Sequence, residues 1–160
     1  MIKFIIFLFL IAANSFALEI KCKFEEVYPN SSNQQGIFLI KNNKLRYEYY
    51  DNQLFTIFYN GKDFFSVRNN NKEIIQKINE NNEILKELMI LSHSYPNIEN
   101  VIIKENLKIK LEKSEISKFY KRIAINSEKI NISIYLNDCK FKSLSDKYFV
   151  FNPMKEYVDN

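Results

Sequence analysis

Between Gly36 and Gly61 the chain reads GIFLIKNNKLRYEYYDNQLFTIFYNG, a series of short strand-like runs separated by turns of asparagine and aspartate. Successive side chains of a strand point to opposite faces. Residues 36–41 (GIFLIK) and 53–59 (QLFTIFY) are apolar on both. Between them, residues 44–50 place Leu45, Tyr47 and Tyr49 opposite Arg46, Glu48 and Tyr50. A sheet that is apolar on two faces has to cover the second one, either with other parts of the chain or with a ligand. Asn60-Gly61 is the strongest short hairpin signal, because a type I′ turn requires positive φ at both central positions.

The same two-residue period extends outward from this stretch. Residues 19–28 alternate Ile20, Cys22 and Phe24 against Lys21, Lys23 and Glu25, and residues 29–33 (PNSSN) end that strand in a loop. Residues 62–67 and 72–78 continue a meander beyond Gly61. The period then changes: Asn82 caps a helix over 83–91, whose Ile84, Leu85, Leu88 and Met89 fall at helical spacing. Strands return at 100–104, 106–113, 119–126, 129–137 and 148–151, with residues 114–118 as a loop or one helical turn. Nine or ten strands around one mid-chain helix predict a mainly β (α+β) single domain, an antiparallel sheet strongly curved and covered by that helix.

Residues 1–17 have the form of a cleaved signal peptide: Lys3, an apolar run from Phe4 to Ala13, then Ser15-Phe16-Ala17 as the cleavage site. The apolar run is half the roughly 20 residues that span a bilayer, an uncleaved anchor being the alternative. Residues 18–160 are then one exported domain, expected in the periplasm. Cys22 lacks the small preceding residue of a lipid-attachment site, with Glu19-Ile20-Lys21 before it. In an oxidising compartment Cys22 and Cys139 are candidates for a disulfide, two buried thiols being the alternative. The formal charge of +4 is a small excess, read as solvated surface and not as a nucleic-acid footprint.

Material for catalysis is scarce. His93 is the only histidine, no Cys-x-x-Cys exists, and the only glycines are Gly36 and Gly61. Zinc sites, phosphate-cradling loops and dinucleotide fingerprints therefore have nothing to be built from. Glu25-Glu26 and Asp51 read as separate, solvated carboxylates. The chain is expected to be a binder, with no enzyme activity, metal or cofactor. Its 14 Phe and 10 Tyr fit either an ordinary β-core or the lining of an apolar cavity, and composition does not choose between them. A stacking surface for single-stranded nucleic acid would want arginines among the rings, and only Arg46, Arg68 and Arg122 exist.

Gly36-Ile37-Phe38, then residues 44–49 (KLRYEY), then residues 57–62 (IFYNGK), in this order behind a leader, resemble the periplasmic outer-membrane lipoprotein carriers, the LolA-like family. Tyr148 to Pro153 also looks like that family's closing strand. The resemblance implies an unclosed, strongly curved antiparallel half-barrel with a helical lid over an apolar cavity. It also implies a monomeric carrier of lipoprotein acyl chains, loaded by an inner-membrane release complex and emptied by an outer-membrane acceptor. In such carriers the arginine matching Arg46 bonds the lid; the residues themselves equally allow a surface arginine paired with Glu48 or Asp51. The family's N-terminal helix has no counterpart here, where strand-like residues begin almost at the cleavage site. Candidate cavity and lid residues are Phe38, Ile40, Leu45, Tyr47, Phe55, Ile57, Leu85, Leu88 and Met89. The alternative from another class is an envelope interaction or sensor module on the same curved sheet, without lipid cargo.

Overall fold

A computed structural model describes residues 18–78 and 83–149 of the chain. The expected leader, the expected cap residue Asn82 and the end of the expected closing strand (150–153) lie outside the described residues. The strands are β1 (Glu19–Val27), β2 (Asn33–Lys41), β3 (Lys44–Tyr49), β4 (Phe55–Tyr59), β5 (Phe64–Arg68) and β6 (Ile75–Lys77). The helix α1 (Glu83–Ser94) follows, and then β7 (Val101–Lys104), β8 (Leu107–Lys113), β9 (Tyr120–Ser127) and β10 (Asn131–Phe141).

All ten strands form one antiparallel sheet in the order β6-β5-β4-β3-β2-β1-β10-β9-β8-β7. Two meanders are thus stitched together where the first strand pairs with the last, and the sheet stays unclosed between β6 and β7. The segment carrying α1 leads from one edge strand to the other. Its Leu85, Leu88, Met89 and Leu91 are buried in one core with Ile20, Phe24, Phe38, Ile40 and Leu45 of one meander and Ile109, Leu111, Ile123 and Ile125 of the other. The Tyr120 hydroxyl donates to the Leu91 carbonyl at 3.0 Å, satisfying an acceptor that the last helical turn leaves open. No helix among the described residues is long and apolar enough to cross a membrane.

The centre of the sheet is pinned covalently. Lys21 pairs with Lys140 and Lys23 with Asn137, so Asp138 and Cys139 together oppose Cys22. This bulge, with Asp138 at φ 52°, turns Cys139 toward Cys22. The two cysteines form a disulfide with their Cα atoms 4.1 Å apart. The displaced Asp138 meets Lys23 at 2.8 Å.

The opposite face of β2 is covered by the chain itself. Leu39 is buried with Leu144 and Phe149 in a second, small core, against which Tyr148 packs. The strand expected over 148–151 is replaced, in its described part, by a 3-10 turn at Asp146–Tyr148. The reason is packing: rings that suit a strand serve here to cap the apolar outer face of β2. This segment is tied down by Lys41 Nζ donating to the Leu144 carbonyl at 2.6 Å and by Lys44 meeting Asp146 at 3.1 Å.

The β4–β5 connection also differs from the two-residue turn expected at Asn60-Gly61. Tyr59 pairs with Phe64, which leaves a four-residue loop over 60–63. Asn60 Oδ1 accepts the amides of Lys62 and Asp63, each at 2.9 Å, and this local side-chain bonding wins over the tighter hairpin. Gly61, at φ 100°, supplies the one left-handed residue that the loop needs.

Candidate functional site

A cavity of about 720 Å³ opens on the face that carries the main core. Three parts of the fold wall it. One meander contributes Leu45, Tyr47 and Tyr49 of β3 with Phe55 and Ile57 of β4; the other contributes Ile125, Ile132 and Ile134; α1 contributes Ile84, Leu85 and Leu88. Each group follows from strand or helix periodicity, which places alternate strand residues, and residues three or four apart on the helix, on one side.

Among the described residues one carboxylate in this apolar wall is buried. Glu26 of β1 is only 4% exposed. Its Oε1 accepts the Tyr47 hydroxyl at 2.7 Å, and its Oε2 accepts those of Tyr28 at 2.6 Å and Tyr49 at 2.9 Å. All four side chains line the cavity. Among the described residues Glu26 forms no ion pair with a Lys or Arg.

Glu26 reaches β3 across β2, and the register explains how. Phe24 lies beside Gly36, which lies beside Tyr49. With no side chain at position 36, the Phe24 ring stacks on Tyr47 at 4.0 Å and meets Tyr49 edge-on at 5.4 Å. A Cβ at Gly36 would lie 2.5 Å from that ring and 1.9 Å from the Glu48 carbonyl oxygen. The aromatic floor and the tyrosine–carboxylate cluster thus share one opening in β2.

The three hydroxyls are held in the donor form. Burial, reinforced by the charge of Glu26, raises the Tyr47 and Tyr49 hydroxyls well above the ordinary tyrosine range. Tyr28 is pushed up to about 12, again first by burial and then by its hydrogen bond to Glu26.

Of the residues singled out in the sequence, Leu45, Tyr47, Phe55, Ile57, Leu85 and Leu88 line the cavity. Phe38, Ile40 and Met89 are buried in the adjoining core. Arg46 stands on the other face of β3 from Leu45 and Tyr47. There its Nε donates to Glu48 at 2.7 Å, Nη1 donates to the Tyr148 carbonyl at 3.3 Å, and the guanidinium lies 5.2 Å from the Phe58 ring centroid. That geometry joins Arg46 to the segment covering β2 and not to the cavity wall. The side chain of His93 lies outside the described residues.

Glu26, Tyr28 and Tyr49 are the residues that sequence reasoning missed. The sequence groups Glu26 with Glu25 as solvated, and the structure corrects this: Glu25 accepts from Asn33 at an exposed site, while Glu26 is buried. The signal was available, since Glu26 shares the parity of Ile20, Cys22 and Phe24. Among the described residues no cluster of histidine, cysteine or carboxylate side chains could hold a metal ion. No protein-family model matches the chain, and no curated protein matches it.

Proposed function

We propose that this chain is a carrier of fatty acyl chains, in which the sheet bends into an unclosed half-barrel and α1 acts as a lid over its hollow. Topology supports the bend. Ten strands laid flat at about 4.8 Å would separate β6 from β7 by roughly 43 Å. The 12 residues of α1 span only about 18 Å. Yet α1 shares one core with residues of both meanders. A curved sheet reconciles these lengths.

The observation that carries the proposal is the cavity itself, about 720 Å³ walled by aliphatic and aromatic side chains of both meanders and the helix. Binding cavities for small organic ligands run to roughly 300–1,000 Å³. Each methylene withdrawn from water contributes about 0.8 kcal/mol, so a dozen give roughly 10 kcal/mol before the costs of association. With the resemblance to the LolA-like carriers, the cargo is the acyl part of lipoproteins, ferried through the periplasm toward the outer membrane. An inner-membrane release complex loads it and an outer-membrane acceptor unloads it. The protein works without a cofactor or covalent chemistry. Arg46 has no gating part in this reading.

Native mass spectrometry of the protein recovered from a bacterial periplasm tests it. The expected spectrum contains the chain with a lipid or lipopeptide adduct. A spectrum without adducts, under conditions that keep non-covalent complexes intact, overturns the proposal.

A further inference from the structure

A carrier for hydrocarbon alone has no use for a carboxylate in its wall, because burying one is costly unless it is compensated. Glu26 is compensated by three hydroxyl donors, none of which carries charge. A carboxylate offers about four lone-pair sites, so Oε1, which among the described residues accepts only from Tyr47, has room for a further donor. Around it stand the hydroxyls of Tyr28, Tyr47 and Tyr49, whose oxygens keep lone pairs that can accept from a bound ammonium. Among the described residues the charged side chains in the wall are Glu26, Glu128 and Lys129, a net negative set. Glu128 and Lys129 adjoin one another in the turn between β9 and β10 and offset each other, which leaves the Glu26 charge unbalanced.

We infer that the cavity selects a fatty amphiphile with a cationic amine head: the chain lies along the aliphatic wall and the ammonium donates to Glu26 within the tyrosine cluster. This rests on the acyl-carrier reading and names the head group that reading leaves open. The occupant is the acylated end of a lipoprotein whose amine is free and has no adjoining phosphate, since a phosphate beside the amine would bring a second anion against the same wall. Tyr28, Tyr47 and Tyr49 keep the carboxylate oriented while the site is empty, so binding requires little rearrangement.

Isothermal titration of the unaltered protein near neutral pH compares four probes of one chain length, each below its micellar concentration: dodecylamine, dodecanol, dodecanoate and dodecylphosphocholine. Dodecylamine is expected to bind at least about tenfold tighter than each of the others, as a charge-assisted hydrogen bond allows. Glu26→Gln should abolish the preference for dodecylamine over dodecanol. Equal binding of dodecanol, dodecanoate or dodecylphosphocholine overturns the head-group assignment and leaves the acyl carrier standing. Failure of all four to bind removes both. Should Glu26→Gln not fold, as judged by circular dichroism, the four-probe comparison decides alone.

Discussion

Glu26 and Tyr47 are hydrogen-bonded at 2.7 Å although strand β2 runs between the strands that carry them. The bond holds β1 to β3 without a side chain of β2 intervening, and it does so inside an apolar wall. Removing the Tyr47 hydroxyl leaves one carboxylate oxygen short of its donor at a buried site. Tyr47→Phe should therefore cost about 1–3 kcal/mol of unfolding free energy in urea titrations. A change below about 0.5 kcal/mol would mean that water replaces the hydroxyl freely and that the site is wetter than its burial implies.

Gly36 is a second sensitive position of the same region. Its constraint is steric, since an added methyl would stand 1.9 Å from a backbone oxygen and 2.5 Å from the Phe24 ring. Gly36→Ala should destabilise by about 2 kcal/mol or more and disturb the Phe24–Tyr47 stack, visible in the near-ultraviolet circular dichroism. A variant with native stability and spectrum would contradict the close approach.

Alkaline pH should weaken the protein through the tyrosine cluster. The folded-state values of Tyr28, Tyr47 and Tyr49 lie above the ordinary value of 10.0, that of Tyr28 at about 12. Their stabilising share is complete below pH 10 and declines once the unfolded chain ionises its tyrosines first, from about 10 upward through the folded values. Ultraviolet titration should show these phenols ionising late, together with loss of structure. Titration of all tyrosines near 10 in a still-folded protein would be the contrary result.

The Cys22–Cys139 bridge closes a loop with a sequence separation of 117. Cys22→Ala/Cys139→Ala, or reduction, should lower stability by about 2–5 kcal/mol, chiefly by freeing the unfolded chain. Urea unfolding with and without reductant measures this. Coincident curves for a protein whose oxidised state is verified by mass would refute it.

Ser66 lines the cavity, and the chain contains no tryptophan. Ser66→Trp should partly fill the hollow and weaken binding of a long acyl chain by about tenfold or more, with the new indole fluorescence reporting occupancy. Arg46→Leu should instead leave acyl affinity within about twofold and loosen the 142–149 segment, costing about 1–3 kcal/mol of stability. A loss of acyl binding in Arg46→Leu would support a gating role on the cavity side.

Most strands were legible because their period is local: β1, β3, β8 and β9 need only alternation, and α1 only its three- and four-residue spacing. The candidate site was legible where it is aliphatic or aromatic, at Leu45, Tyr47, Ile57, Leu85 and Leu88. Its polar centre was not, because a carboxylate beside another carboxylate reads as solvated until three hydroxyls, two from β3 and one just past β1, are seen to surround it. Arg46 was legible in part: its place on β3 and a pairing with Glu48 are readable from the sequence, while its bond to the Tyr148 carbonyl is not.

Composition and periodicity by themselves determined a β-rich chain with one mid-chain helix and apolar side chains on both faces of several strands. Only the tertiary structure decided how those faces are covered: residues 144–149 seal the outer side of β2, while the inner side keeps a cavity with Glu26 in its wall. Periodicity is a property of neighbours in sequence. Burial of a charge and the filling of a hollow depend on groups far apart along the chain, whose meeting is set by strand order and register.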